Sequence, residues 1–100
     1  MTDYSGLPGA KWILRGVADL VRGDLTSEAL CVAGAAELLR SLKVDLPATT
    51  PLPADPEIRF YLSLDGATDD PYGTYNAMRR ELDSFASALY TRLKFAETAS

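Results

Sequence analysis

Apolar residues along this chain recur mostly at spacings of three and four, the period of a helix buried along one face. The longest such run covers residues 69–97, where Tyr75, Met78, Leu82, Phe85, Leu89, Leu93 and Ala96 share one stripe. Asp70 suits the N-cap of that helix. Pro71 suits its first position, because the N–H that proline lacks would be unpaired there in any case. A second run covers residues 10–22. Trp12, Ile13, Leu14, Val17, Leu20 and Val21 take up most of its circumference, and Lys11, Arg15, Asp19 and Arg22 form a narrow charged stripe. Arg15 and Asp19 have the i,i+4 spacing of an ion pair. So wide an apolar arc predicts burial on more than one side, and Gly23 supplies the stop.

A third helix is predicted from Thr26 or Ser27 to about Lys43. Cys31, Ala35, Leu38 and Leu42 make its core stripe, with Val32 and Leu39 beside them. Ala33, Gly34 and Ala36 keep its remaining surface slim, so a neighbouring backbone can approach. Residues 44–55 hold Pro47, Pro51 and Pro53, which cannot continue a helix and favour extended backbone laid over the surface.

Residues 56–65 are read two ways. Ile58, Phe60, Leu62 and Leu64 alternate like a strand. Asp55, Pro56 and Glu57 in succession instead read as a cap, a first-position proline and an acid in the first turn. No second segment offers a strand partner, and a lone strand leaves its backbone groups unsatisfied. A short helix ended by Gly66 is therefore predicted. Together these pieces predict one all-α domain over residues 1–100, a compact four-helix bundle with a proline-rich crossover between helices 2 and 3 counted along the chain, those over 27–43 and 56–65. Its core should set Leu82, Phe85 and Leu89 against Trp12, Val17, Leu38 and Leu42.

Composition removes several classes of function. With 47% hydrophobic and 24% charged residues the chain has the make-up of a folded globular protein. The net charge is −4, and the acidic excess gathers in Asp55, Glu57, Asp65, Asp69 and Asp70, opposed only by Arg59. A phosphate backbone or an anionic membrane is repelled by such a surface, so neither nucleic acid nor membrane is an expected partner. Cys31 is the single cysteine, no stretch has the length of a membrane span, and residues 1–11 lack a secretory pattern. A cytoplasmic protein is expected. The 14 alanines suit a small bacterial protein.

Chemistry is sparse. Without histidine, serine–histidine and cysteine–histidine catalysis and most zinc sites are excluded. No phosphate-binding glycine loop occurs. Residues 65–70 carry three carboxylates, but an EF-hand starting at Asp65 would put Ala67 at position 3, Asp70 at the obligatory glycine and Asn76 at the obligatory glutamate. Helix capping accounts for Asp69 and Asp70 without a metal. Cys31 on a core stripe reads as a small hydrophobe. The link from 22 to 27 has the length of a DNA-binding helix–turn–helix, but Glu28, Ala29, Leu30 and Cys31 do not make a recognition helix.

One cluster stands out. Tyr72, Tyr75, Asn76, Arg79 and Asp83 lie along one edge of the last helix's stripe. Arginine among tyrosines can take a carboxylate or phosphate bidentately. The ordinary alternative is a boundary arginine paired with Asp83. Phe95 points away from the stripe and suggests a second packing surface, for a partner or for residues 4–8 folding back.

The expected function is a non-catalytic interaction module or accessory subunit that binds another protein or itself, with no catalytic residue, metal or cofactor. The alternative is a small-molecule-binding domain in which Arg79 and its tyrosines hold an anionic ligand. An enzyme working through Asp65, Asp69 and Asp83 ranks last, because nothing pairs those carboxylates.

Overall fold

Among the described residues five helices form, and local signals explain several of their ends. The computed structural model describes Tyr4 and residues 6–99, with side chains as far as residue 95. The helices are α1 (Ala10–Arg22), α2 (Ser27–Gly34), α3 (Ala36–Ser41), α4 (Pro56–Leu64) and α5 (Pro71–Ala99). Among the described residues there is no strand, only an isolated bridge between Asp65 and Thr68. The all-α class holds, and residues 56–64 are helical.

The α1–α2 turn is built from three side chains. Gly23, at φ 81°, closes α1 by donating its N–H to the carbonyls of Asp19 and Leu20. Thr26 is the N-cap of α2, its hydroxyl oxygen accepting from the Ala29 N–H at 3.2 Å. The same hydroxyl donates to Asp19 at 2.9 Å, and Arg22 also bonds the Asp19 carboxylate. The expected Arg15–Asp19 pair is thus replaced. Thr26 draws the buried carboxylate toward the end of α1, where Arg22 reaches it.

The long helix expected from 27 to 43 is broken. Ala35 sits between α2 and α3 at φ −116°, ψ 20°, and its N–H bonds Val32 three residues back, not four. Gly34, the weakest helix former available short of proline, precedes the break. The break changes the phase of the stripe: Ala36, Leu39 and Leu42 are buried, and Leu38, expected in the core, is 44% exposed. At Asp55 a further expectation fails in part. It holds the N-cap position of α4, but at φ 49° and with no side-chain cap bond. Asp70 does cap α5, accepting from Gly73 N–H at 3.0 Å.

α2 is the central helix. Ala29, Leu30, Cys31, Val32 and Ala33 are buried in succession, so α2 is enclosed around its circumference. α1 and α4 both pack on it, and α5 packs on α4. The enclosure predicted for α1 therefore belongs to α2. On α1, Val21 stays exposed and Leu14 half-buried. Gly16 makes the α1–α2 contact possible: a Cβ there would lie 2.6 Å from the Glu28 carbonyl oxygen and 2.9 Å from Val32 Cγ2.

Leu82, Phe85 and Leu89 of α5 join Val17 and Leu42 in the core, with Trp12 half-buried against it. Trp12 Nε1 donates to Glu81 Oε1 at 3.0 Å and ties α1 to α5. The N-terminal segment does fold back on α5, but at Phe85, whose ring centroid is 6.1 Å from that of Tyr4. Phe95 is exposed.

Candidate functional site

The edge of α5 singled out by its wheel lies against α4. Tyr75 is half-buried, its ring 5.1 Å from Phe60 and 5.9 Å, edge-on, from Tyr61. Such aromatic contacts contribute about 0.5–1.5 kcal/mol beyond simple burial. Asn76 is half-buried one residue on, and Tyr72 is exposed one turn earlier. Arg79 does not pair with Asp83. Its Nη1 donates to Glu57 Oε1 on α4 at 2.7 Å, and Asp83 is exposed one turn further along α5. The hydrogen bond to Glu57 raises the already high Arg79 pKa, so the guanidinium is permanently charged. This pair is solvent-exposed, and such pairs contribute at most about 1 kcal/mol to stability.

Gly34 admits this pair. A Cβ on residue 34 would lie 3.3 Å from Glu57 Cγ and 4.0 Å from Arg79 Nη1. Beside it is an open concavity of about 290 Å³ lined by Gly34, Asp55, Pro56, Glu57 and Ile58. Its two charged residues are both acids, so Arg79 meets a carboxylate-rich recess and not a cationic one.

Sequence reasoning missed the outer face of α4. With Phe60 and Leu64 turned inward, Ile58 and Leu62 are 61% and 59% exposed, and Tyr61 is exposed beside them. Tyr61 touches Tyr75, so the apolar surface continues from α4 toward the predicted edge of α5. Exposed carboxylates mark both ends: Asp55 and Glu57 at the start of α4, and Asp65, Asp69 and Asp70 after it. An i,i+4 apolar pair flanked by acids is thus left uncovered on the outer face of α4.

Cys31 is buried at 2% exposure. Desolvation pushes its thiol from 9.0 up to about 12, against the lowering influence of Arg79. At pH 8 such a thiol is ionised in only about one molecule in 10,000, where an ordinary one is ionised in about one in ten. Native protein should therefore react with DTNB only slowly, and rapidly once denaturant is added; fast labelling under native conditions overturns the burial.

Among the described residues no three histidine, cysteine or carboxylate side chains cluster to hold a metal ion, and no helix is long and apolar enough to cross a membrane. Compared with models of protein families, with curated proteins and with solved structures, the chain matches none.

Proposed function

We propose that this chain is a non-catalytic helical interaction module or accessory subunit, working in the cytoplasm through protein–protein contacts made by the α4–α5 face. The observation that carries this reading is the exposed Ile58–Leu62 pair on α4, joined through Tyr61 to Tyr75 and close in sequence to the exposed Tyr72. Tyrosines supply large contact area and a hydrogen-bonding tip, and arginine a directed fork, which is why these residues dominate binding energies at interfaces. Asn76, Arg79 and Asp83 extend the face along α5. In this reading the broken α2–α3 pair acts as one limb of a four-limbed bundle, and residues 42–55 with their prolines are the crossover to α4.

The anionic-ligand reading fares less well. Arg79 is already engaged by Glu57, and an anion entering the recess beside it would meet Asp55 as well. Displacing one carboxylate only to face another leaves little net attraction.

The test uses tagged protein and an extract of the cells it comes from. Ile58→Ser with Leu62→Ser should lose bound proteins that the wild type retains. Leu38→Ser, which removes a comparably exposed leucine elsewhere, should keep them. Surface changes of this kind shift stability by only about 0.5 kcal/mol, so loss of binding cannot be ascribed to unfolding, and thermal melts check the point. Identical sets of bound proteins for all three chains would sink the proposal.

A further inference from the structure

The negative charge of this chain belongs to one segment. Residues 55–70 hold Asp55, Glu57, Asp65, Asp69 and Asp70 against the single cation Arg59, which leaves −4, the net charge of the whole chain. In the remainder nine acids balance nine bases. The charged segment is α4, with the exposed Ile58 and Leu62, and the loop that leads into α5.

α4 sets these charges around its apolar ridge. Asp55 and Asp65 hold the N-cap and C-cap positions, so an acid stands at each end, with about 15 Å of helix between them. At about 100° per residue, Arg59 lies roughly 80° from the middle of the Ile58–Leu62 ridge, on the flank away from Tyr61 and α5. Glu57, on the α5 side, is bonded to Arg79, and Asp70 caps α5. The exposed carboxylates of Asp55, Asp65 and Asp69 enter no hydrogen bond or ion pair among the described residues. Further along α5 the exposed Arg80 and Asp83 offset each other. With Arg59 and Arg79 both counted against the five acids, the ridge still lies in a surplus of three negative charges.

Resting on the reading that the outer face of α4 docks protein, we infer that its occupant is a cationic amphipathic segment of another protein, one that sets apolar residues among lysines or arginines. Apolar residues of the segment cover Ile58 and Leu62, and its cations face Asp55, Asp65 and Asp69. Charge of one sign gathered around a contact raises the local concentration of oppositely charged partners and speeds their encounter, and it repels partners of its own sign. Such steering weakens as salt is added.

A displayed library of random peptides, about 15 residues long or four helical turns, reads the partner's chemistry directly. It is sorted on the wild type and, separately, on Ile58→Ser with Leu62→Ser. The two chains carry the same charge, so basic peptides that merely adhere are retained by both and drop out of the comparison. Sequences retained by the wild type alone should carry apolar residues three or four apart, flanked by Lys or Arg, with no excess of Asp or Glu. A synthetic peptide of such a sequence should associate about tenfold more slowly with a chain carrying Asp55→Asn, Asp65→Asn and Asp69→Asn, and dissociate at nearly the same rate. Asparagine tolerates the left-handed backbone of position 55, and thermal melts check that this chain folds. Ridge-dependent sequences without a basic excess overturn the cationic partner and leave the docking reading standing. So does an association rate that the three asparagines leave unchanged. A library with no ridge-dependent sequence overturns the inference and leaves the docking reading to the extract experiment. A wild type whose mass in light scattering exceeds one chain, and returns to one chain in the ridge variant, makes a second copy the occupant and overturns the inference. Peptides of the expected pattern that bind the ridge variant as tightly as the wild type remove the α4 face from the contact, and both readings fail.

Discussion

Phe85→Ala is expected to lose about 3–5 kcal/mol of stability, the range for truncating a fully buried aromatic side chain. Phe85 has no exposed surface, sits among Leu82, Ala86 and Leu89 in the core, and meets the ring of Tyr4. The change removes that contact and leaves a cavity that rigid helices close only in part. A domain of this size holds roughly 5–15 kcal/mol in all, so the variant should unfold at much lower urea with an unchanged slope. A midpoint equal to that of wild type would mean that α5 does not pack as described.

Gly16→Ala is the sharper case, because two effects oppose each other. Inside a helix, alanine is favoured over glycine by about 1 kcal/mol, and a surface glycine would gain from the change. Here the new methyl group would sit 2.6 Å from the Glu28 carbonyl oxygen and 2.8 Å from its carbon. Those are backbone atoms of the adjoining helix and cannot rotate away, so α1 and α2 must separate. Overpacking of this kind costs about 1–3 kcal/mol, sometimes more, and α2 carries contacts on both sides. Net destabilisation is expected in chemical denaturation. A more stable Gly16→Ala chain would show that the two helices are further apart than the structure places them.

Much of this architecture was legible in the sequence where one local signal dominated. The ends of α1, the Thr26 cap and the start of α5 follow from glycine, hydroxyl and aspartate–proline chemistry that acts within a few residues. The break at Ala35 was not legible, because Cys31, Ala35, Leu38 and Leu42 satisfy a continuous helical period. Gly34 weakens the helix just before the break, and burying Leu39 in place of Leu38 favours the broken form. Glu57 was missed as the partner of Arg79 for a similar reason: Asp83 is close in sequence, whereas Glu57 comes near only when α4 docks on α5. The exposed ridge, by contrast, could have been read. Once residues 56–65 are taken as a helix, an alternating pattern must split into two faces, Phe60 with Leu64 and Ile58 with Leu62. Only one of those faces can point inward.

Thr26 shows how narrow the choice of residue at a helix end can become. Aspartate ranks with serine and above threonine as a capping residue in general. At position 26, however, the capping oxygen must also carry a hydrogen for the Asp19 carboxylate, 2.9 Å away. A hydroxyl accepts from Ala29 and donates to Asp19 at once. A carboxylate could do only the first, and would set a second negative charge against a buried one. Serine keeps both bonds and valine keeps neither. Position 26 thus suits a hydroxyl residue and disfavours aspartate, a restriction that capping preferences by themselves would not reveal.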